Sequence, residues 1–243
     1  MDYSFLQCGE GALTVHLGDG IDPAINRRVT ALQGAIGSAG LRGIIDLIPA
    51  YADLTVCYDC TVISAKALQR QLRRLLDSLS VAGQDRRRVF RLPVCYGGDY
   101  GPDLDFVCHH SGLSAQEVIA LHSAPDYLIY MLGFLPGFAY LGGLDPRLHT
   151  PRLDSPRTCI PTGSVGIGGA QTGVYPLASP GGWQLLGRTP VSVFDRQRQE
   201  PILYRAGDLV HFVPISPAEY EEIARAVAAG TYTVQVEEVP VCD

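Results

Sequence analysis

The chain has 243 residues, of which 47% are apolar and 18% charged, so it can bury a sizeable core in one large or two small domains. Its net charge of -6 argues against nucleic acid as a partner, and no segment approaches the roughly 20 apolar residues that a membrane span requires. Residues 1–20 carry three acidic side chains and lack the apolar run of a signal peptide, so the sequence predicts a cytoplasmic protein.

The first third of the chain predicts an α+β domain. Strand-like runs lie at residues 12–17, 43–49 and 53–58. Two amphipathic helices alternate with them, and these helices begin after the N-cap residues Asp22 and Ser64. With residues 89–94 available as a further strand, the order resembles a split βαβ or ferredoxin-like sandwich.

A polar, charged stretch at residues 81–88 follows the second helix, which is rich in leucine. We place the domain boundary there, which gives an α/β domain at residues 1–84 and a second domain at residues 85–243. The densest group of arginines, at residues 86–91, also falls at this expected linker. A group of arginines in a linker is weak support for a nucleic-acid interface.

The second domain predicts many short strands and few helices. Capping boxes at Ser114 to Glu117 and at Ser216 to Glu219 each predict the start of a helix. We expect a further short helix at residues 124–132. Strands are expected at residues 191–195, 202–204, 209–213 and 231–239. This composition is typical of a closed or partly closed β-barrel.

The seven cysteines are odd in number and lie mostly in apolar segments, which favours free thiols in a reducing compartment. Cys57 and Cys60 form one C-x-x-C pair. A zinc site would need a second pair or a pair of histidines at the right spacing, so we expect no metal.

Glycines and prolines are concentrated between Gly133 and Pro190, where they alternate with aromatic and aliphatic residues that require burial. Chains held in unusual turns of this kind often line binding sites. The run from Gly163 to Gly169 matches neither the Walker pattern nor the dinucleotide fingerprint, so we expect no nucleotide on this chain alone.

A serine hydrolase triad has weak support in this segment. Ser164 and Ser179 lie in turns, but neither stands in the Gly-x-Ser-x-Gly pattern of a nucleophile elbow. Folding could supply a base from His109, His110, His122, His149 or His211. A lone histidine is more often a satisfied core or surface residue than a catalytic base.

Four polar residues stand among the glycines and apolar positions: Arg157, Gln171, Tyr175 and Arg188. Such side chains could orient a small carboxylate or amide ligand, with arginine supplying a two-pronged donor. They could equally satisfy buried loop carbonyls, and the residues alone leave both interpretations open. Trp183 is expected to anchor the barrel wall.

Four linked motifs then point to a known family. They read Gly-Phe-Leu-Pro-Gly-Phe at residues 133–138, Pro-Thr-Gly-Ser-Val-Gly at 161–166, Gly-Ala-Gln-Thr-Gly-Val-Tyr-Pro at 169–176 and Ser-Pro-Gly-Gly-Trp-Gln at 179–184. In this order they resemble the family of 5-oxoprolinase B subunits, which is also named for the kinase inhibitor KipI and for allophanate hydrolase subunit 1. The resemblance is close over about residues 89–215.

The resemblance implies an α/β first domain and a cyclophilin-like barrel as the second. It further implies that the chain works with the C and A subunits of an ATP-dependent complex, which opens 5-oxoproline to glutamate. ATP would be consumed by the complex, and this chain alone would bind no cofactor. Arg188 and backbone donors would then stabilise a developing oxyanion.

The site residues that the resemblance implies fall into two groups. The catalytic candidates are Arg188, Gln171 and Tyr175. The substrate-binding candidates are Gly163, Ser164, Thr172, Gly181, Gly182, Trp183 and Arg157.

Two alternatives stay open within the same family. One is a KipI-like regulator that inhibits a sensor histidine kinase. The other is one member of an allophanate hydrolase or urea carboxylase-like carboxyltransferase pair. An apolar groove near Phe134, Phe138 and Tyr140 is expected to receive either the C subunit or a helix of the kinase.

Overall fold

The computed structural model describes residues 3–79 and 86–240, which form two compact units, one before and one after the gap in the described sequence. The boundary predicted between residues 84 and 85 lies outside the described residues and stays a prediction. Cys242 lies outside them as well.

The first unit is a four-stranded antiparallel sheet with two helices. Its strands are β1 (Ser4–Cys8), β2 (Ala12–His16), β3 (Ile44–Pro49) and β4 (Asp53–Tyr58), and its helices are α1 (Pro23–Ala39) and α2 (Ala65–Asp77). The strand order is β1-β2-β4-β3. Both predicted caps are present: Asp22 accepts from the N–H of Ala24 at 2.6 Å, and Ser64 accepts from the N–H of Ala67 at 3.3 Å.

This unit has the expected α+β character, but one strand assignment was wrong. The edge position beside β2 is occupied by β1, which joins β2 through a tight hairpin in full register from Ser4 opposite His16 to Cys8 opposite Ala12. Residues 89–94 instead belong to the second unit. A local hairpin forms this edge at a much smaller entropic cost than a distant strand would.

The second unit contains ten further strands and three α-helices among the described residues. The strands are β5 (Arg86–Tyr96), β6 (Tyr127–Leu132), β7 (Ala139–Gly142), β8 (Arg157–Ile160), β9 (Ser164–Gly168), β10 (Gln171–Val174), β11 (Ser179–Gly181), β12 (Gln184–Arg188), β13 (Leu209–Ile215) and β14 (Gln235–Pro240). The helices are α3 (Leu104–Ser111), α4 (Ala115–Ser123) and α5 (Pro217–Ala228).

Seven of these strands close into a mixed barrel, which confirms the predicted fold class. The order around it is β12-β9-β10-β7-β6-β13-β5, and β5 pairs back with β12. The length of β5 makes this closure possible. Its first half pairs with β14, and its end pairs with β12, where Tyr96 stands opposite Gly187 and Cys95 opposite Arg188. Strands β8 and β11 form a separate two-stranded sheet.

Two secondary-structure predictions in this unit were wrong. Residues 127–132 form a buried barrel strand and not a helix, because a short, wholly apolar run has no periodicity that separates the two. Residues 191–195 and 202–204 contribute only an isolated bridge between Phe194 and Ile202 in place of two strands. Helix α3 was not anticipated, whereas the predicted capping boxes at Ser114 and Ser216 are both present.

The arginines at residues 86–91 lie in β5 and not in a linker. Each of three forms an ion pair with an acidic residue: Arg86 with Glu238, Arg88 with Asp208 and Arg91 with Glu237. Arg88 and Arg91 make two-pronged contacts of 2.6–3.0 Å with their partners. This concentration of positive charge is therefore largely neutralised within the barrel wall and its edge strand.

A buried histidine links three elements inside the barrel. The Nε2 atom of His122 lies 2.7 Å from the hydroxyl of Thr172, and its Nδ1 lies 2.8 Å from the hydroxyl of Tyr96. The Thr172 hydroxyl also donates to the carbonyl of Gly166 at 3.1 Å. One proton arrangement satisfies all of these groups: Tyr96 donates to Nδ1, and Nε2–H donates to Thr172.

This arrangement requires a neutral imidazole. His122 has no exposed surface, and burial lowers its pKa from 6.5 to about 3. The ring also stacks on Phe212 at a centroid distance of 4.9 Å. His122 is thus the satisfied core histidine that the sequence favoured over a base.

None of the helices within residues 3–79 and 86–240 is long and apolar enough to cross a membrane.

The stability of the barrel should fall with acid because of His122. In the unfolded chain the imidazole of His122 binds a proton below about pH 6.5. In the folded chain it binds one only below about pH 3. His122 should therefore cost about 1.4 kcal/mol of unfolding free energy for each pH unit lost within that window. Denaturant unfolding at pH 7.5, 6 and 5, followed by the fluorescence of the single tryptophan, Trp183, measures this slope.

The matched control is His122→Gln, which lowers stability at pH 7.5 but removes the titrating group. Its unfolding free energy should vary less with pH than that of the wild type, by about the amount assigned to His122. Equal slopes for the two proteins would contradict a neutral, buried imidazole.

Candidate functional site

The glycine-rich segment builds a second, smaller core on one wall of the barrel. This aromatic cluster consists of Phe138, Ile160, Tyr175, Trp183 and Leu185, all at most 4% exposed. Its rings meet edge to face: Phe138 lies 5.5 Å from both Tyr175 and Trp183 between centroids. The predicted anchoring role of Trp183 agrees with this packing.

Three glycines form the surface on which the cluster rests. A methyl group at Gly168 would overlap the indole Nε1 of Trp183, and one at Gly173 would lie 3.2 Å from the same ring. One at Gly166 would lie 2.7 Å from the carbonyl oxygen of Gln184 and 3.3 Å from Leu185. We call Gly166, Gly168 and Gly173 the glycine floor. Side chains at Gly168 and Gly173 would push the indole away from the barrel wall, and one at Gly166 would push back the neighbouring strand β12.

Tyr175 closes the cluster and is no longer an obvious ligand contact. Its side chain is 2% exposed, and burial raises the pKa of the phenol, an effect partly offset by a hydrogen bond from the backbone N–H of Trp183. A Cβ at Gly181 would lie 2.6 Å from the Tyr175 hydroxyl. Tyr175 and Gly181 therefore fit each other closely, and their geometry supports a structural role.

Arg157, a predicted binding residue, already has an internal anion. It donates to Asp103 Oδ1 at 2.7 Å, and its other terminal nitrogen reaches the carbonyl of Trp183 at 3.4 Å. The second oxygen of Asp103 accepts from the N–H of Leu185 at 2.7 Å. This three-way contact ties β8 to the start of β12. Asp103 carries no signal in the sequence that would pair it with Arg157, because the two residues are 54 positions apart and only the fold brings them together.

Arg188 lies in a different electrostatic setting. It stands opposite Ser164 on one side and opposite Cys95 on the other, so the three side chains form a row across β9, β12 and β5. We call this set the Arg188 row. None of the ion pairs formed by the residues that the structure describes includes Arg188, and its buried Nε has no hydrogen-bond partner there.

Helix α5 covers the Arg188 row. Burial raises the pKa of Tyr220 on this helix, and the nearby positive charge of Arg188 partly offsets that shift. The ring of Tyr220 packs at 4.5 Å from that of Tyr100, whose hydroxyl donates to Glu221 at 3.0 Å. The sequence predicted that Tyr220 faces inward, but only the folded barrel places it beside Arg188.

The predicted catalytic residues do not converge. Gln171 stands opposite Gly168 at the closed end of the β9–β10 hairpin, whereas Arg188 stands opposite Ser164 at its other end. Four residue steps along a strand separate these ends by about 13 Å. Tyr175 lies in the aromatic cluster. The structure therefore offers Arg188, and not a triad of Arg188, Gln171 and Tyr175, as the candidate ligand contact.

The remaining predicted binding residues support the wall more than they face a ligand. Thr172 has no exposed surface and bonds His122, and Ser164 is equally buried. Gly163 adopts a φ of +81° and exchanges backbone hydrogen bonds with Tyr175 and Thr189. A Cβ at Gly182 would meet only ordinary contacts of 3.6 Å or more, and the Gly182 carbonyl accepts from the N–H of Leu153 at 2.7 Å.

The described residues give little support for a serine nucleophile or for a metal site. The buried hydroxyls of Ser164 and Ser179 have no hydrogen-bond partner among the described residues, a histidine included. Across residues 3–79 and 86–240, no three His, Cys, Asp or Glu side chains are grouped closely enough to hold a metal ion.

An apolar groove was expected near three aromatic residues, and the structure has one beside Phe134. Phe134 is 63% exposed and holds a φ of +66°, a strained value for a residue with a side chain. Phe134 lines a groove of about 340 Å³, and a second groove of about 430 Å³ shares Leu132 and Ile202 with the first. Phe138 instead belongs to the aromatic cluster and Tyr140 packs against that cluster, so they do not line the groove.

Comparison with known proteins gives consistent relatives. A model of the family described as carboxyltransferase domain, subdomain C and D, matches residues 3–204. The 5-oxoprolinase B subunit of Bacillus subtilis (strain 168) is 42% identical over 228 residues, which cover 90% of this chain and 95% of that protein. Helix α5 lies beyond the matched residues of the family model.

Two solved structures share the fold within longer chains. TTHA0988 matches with a TM-score of 0.74 and 40% identity, over 84% of this chain and 40% of that one. Kluyveromyces lactis urea carboxylase matches with a TM-score of 0.82 and 23% identity, over 98% of this chain and 24% of that one. The chain thus spans less than half the length of either, and the second likeness concerns the fold alone.

The glycine floor predicts a sharp difference between two glycine substitutions. Gly168→Ala should lower the unfolding free energy of the barrel by about 1–3 kcal/mol, because the new methyl group displaces Trp183. Gly182→Ala is the matched control, since its methyl group would meet only ordinary contacts of 3.6 Å. Denaturant unfolding monitored by Trp183 fluorescence compares the two. Equal stabilities would contradict the proposed packing.

Proposed function

The chain belongs to the family of 5-oxoprolinase B subunits, and it matches the model described as carboxyltransferase domain, subdomain C and D. From this membership we propose that the chain is one component of an ATP-dependent enzyme that opens 5-oxoproline to glutamate. The observation that carries the proposal is the near full-length similarity to three bacterial proteins of that name, at 42–46% identity. The proposed partners are the C and A subunits of that enzyme, in the cytoplasm.

In this proposal the chain supplies one wall of a shared site. The partner subunits supply the remaining groups, and ATP is bound and consumed outside this chain. Arg188 provides the positive charge that faces the anionic substrate, because the other half-buried arginine near the cluster, Arg157, is already neutralised by Asp103. A charge fixed on a strand beside a packed aromatic core is well placed to orient a small anion.

The exposed loop at residues 133–137 supports the multisubunit character of the proposal. An aromatic ring held in solvent by a strained backbone costs free energy in the isolated chain. A partner that buries Phe134 would recover part of that cost. The apolar groove beside it is a surface of suitable character for the C subunit.

Urea carboxylase chemistry is the second candidate. The family description names a carboxyltransferase domain, and a putative urea carboxylase from Emericella nidulans is 26% identical over 97% of this chain. The chain covers only 22% of that relative. The greater identity and coverage of the 5-oxoprolinase relatives favour the first candidate.

The activity test mixes this chain with its cognate A and C subunits and measures 5-oxoproline-dependent ATP hydrolysis and glutamate release. Mixtures that lack one of the three proteins serve as controls. Activity only in the complete mixture supports the proposal. A well-folded, fully assembled mixture that stays inactive with 5-oxoproline but consumes ATP with urea would favour the second candidate.

Arg188→Ala should lower kcat/KM of the assembled enzyme by about a hundredfold or more, because removing a charged contact to a substrate typically costs about 3 kcal/mol. Assembly, measured by size-exclusion chromatography, should be unchanged. Arg147→Ala, which breaks an exposed ion pair with Asp145, is the matched control and should keep full activity. Unchanged turnover in Arg188→Ala would remove this residue from the site.

A further inference from the structure

We propose that Asp103 is a positioning residue, which holds a bulge in β12 and thereby places Arg188 on the face of the barrel wall that carries the aromatic cluster. The inference rests on the proposed function for the role of Arg188 in the shared site. The arrangement of the bulge is a property of this chain alone, so it can be tested without the partner subunits.

The first step of the argument concerns the register of β12. Leu185 stands opposite Gly166 in β9, and after a register shift Arg188 stands opposite Ser164. Gly166 and Ser164 are two residues apart, so they lie on the same face of β9. Leu185 and Arg188 are three residues apart and would lie on opposite faces of a regular strand. The extra residue, Leu186, brings Arg188 to the face of Leu185, which belongs to the aromatic cluster.

The second step concerns the contacts that hold this bulge. Residues 97–103 follow β5 and form three hydrogen bonds with it, and we call this segment the β12 strap. The N–H of Gly97 donates to the carbonyl of Leu186 at 2.9 Å. The N–H of Asp103 donates to the carbonyl of Leu185 at 3.0 Å, and the Asp103 carboxylate accepts from the N–H of Leu185 at 2.7 Å. Asp103 thus satisfies both backbone groups of Leu185, as a neighbouring strand would.

The third step concerns how closely the β12 strap fits. A Cβ at Gly101 would overlap the carbonyl of Leu186, so the strap can approach the bulge only with glycine at this position. The other oxygen of Asp103 accepts from Arg157 at 2.7 Å, and the Asp103 side chain is only 12% exposed. One oxygen therefore orients the carboxylate and the other holds the bulge. This division supports a positioning role for Asp103 rather than a contact with substrate.

Hydrogen exchange in the isolated full chain tests the positioning. The Nε atoms of Arg188 and Arg198 are both buried in the second unit without a hydrogen-bond partner among the described residues. Their signals in a chain labelled with ¹⁵N-arginine are identified by their absence in Arg188→Ala and Arg198→Ala. Asp103→Ala should speed exchange at the Arg188 Nε–H by about tenfold, because the bulge loses an acceptor. The rate at Arg198 should stay the same, which excludes a general loosening of the unit.

A milder variant decides the proposal even if Asp103→Ala does not fold. Arg157→Gln leaves the hydrogen bond between Asp103 and Leu185 in place but removes the charge that orients the carboxylate. It should speed exchange at Arg188 by about threefold.

The matched control is Glu237→Gln, which removes the charge that pairs with Arg91 elsewhere on the barrel wall. Both exchange rates should be unchanged in this variant. Exchange that rises equally at Arg188 and Arg198 in the strap variants would overturn the proposal. Unchanged exchange at Arg188 in a folded Asp103→Ala, or in Arg157→Gln, would overturn it as well.

Kinetics of the assembled enzyme provide the second readout. Because Asp103 acts through Arg188, Asp103→Ala should lower kcat/KM for 5-oxoproline about tenfold in the wild type and less than about threefold in the Arg188→Ala background. Equal losses in the two backgrounds would give Asp103 a role separate from Arg188 and would overturn the positioning. An inactive wild-type complex would instead contradict the proposed function, and the exchange rates would still decide the place of Arg188.

Discussion

The second unit depends on the packing of the Trp183 indole against the glycine backbone of β9 and β10. Trp183 can lie against the barrel wall only because the glycine floor leaves β9 and β10 without side chains there. Its contacts gather Phe138 and Tyr175, and its carbonyl receives Arg157, which in turn holds Asp103 against Leu185. Strand β12 leaves this cluster paired with β9, and after a register shift between Leu185 and Gly187 it places Arg188 opposite Ser164. The glycines are thus required for the packing of the aromatic cluster, whether or not they contact a ligand.

The electrostatics of the unit follow from the same arrangement. Cross-strand acids neutralise the arginines of β5, and Asp103 neutralises Arg157. Arg188 emerges from β12 beside Ser164 and Cys95, which offer no negative charge at neutral pH, since burial raises the pKa of the Cys95 thiol. Arg188 is therefore a half-buried arginine of the barrel wall whose strand neighbours carry no negative charge.

The sequence predicted what local signals determine. The caps Asp22, Ser64, Ser114 and Ser216 and strands such as β4 rest on short-range chemistry, and linked motifs predicted the barrel by resemblance. Strand β6 was mistaken for a helix because its residues are all apolar or aromatic, so they show no alternation. Arg157 and Arg188 are alike in sequence, and only the fold pairs one with Asp103 and leaves the buried Nε of the other without a hydrogen-bond partner among the described residues. A short sequence motif cannot predict contacts between residues that are far apart in the chain.

A crystal structure of the assembled enzyme with 5-oxoproline bound would show whether Arg188 contacts the substrate. We expect an oxygen of the ligand within about 3 Å of the Arg188 guanidinium. Trp183 should keep its contacts with Gly168 and Gly173 in that complex. A ligand bound wholly among the partner subunits, with no contact to Arg188, would contradict the account.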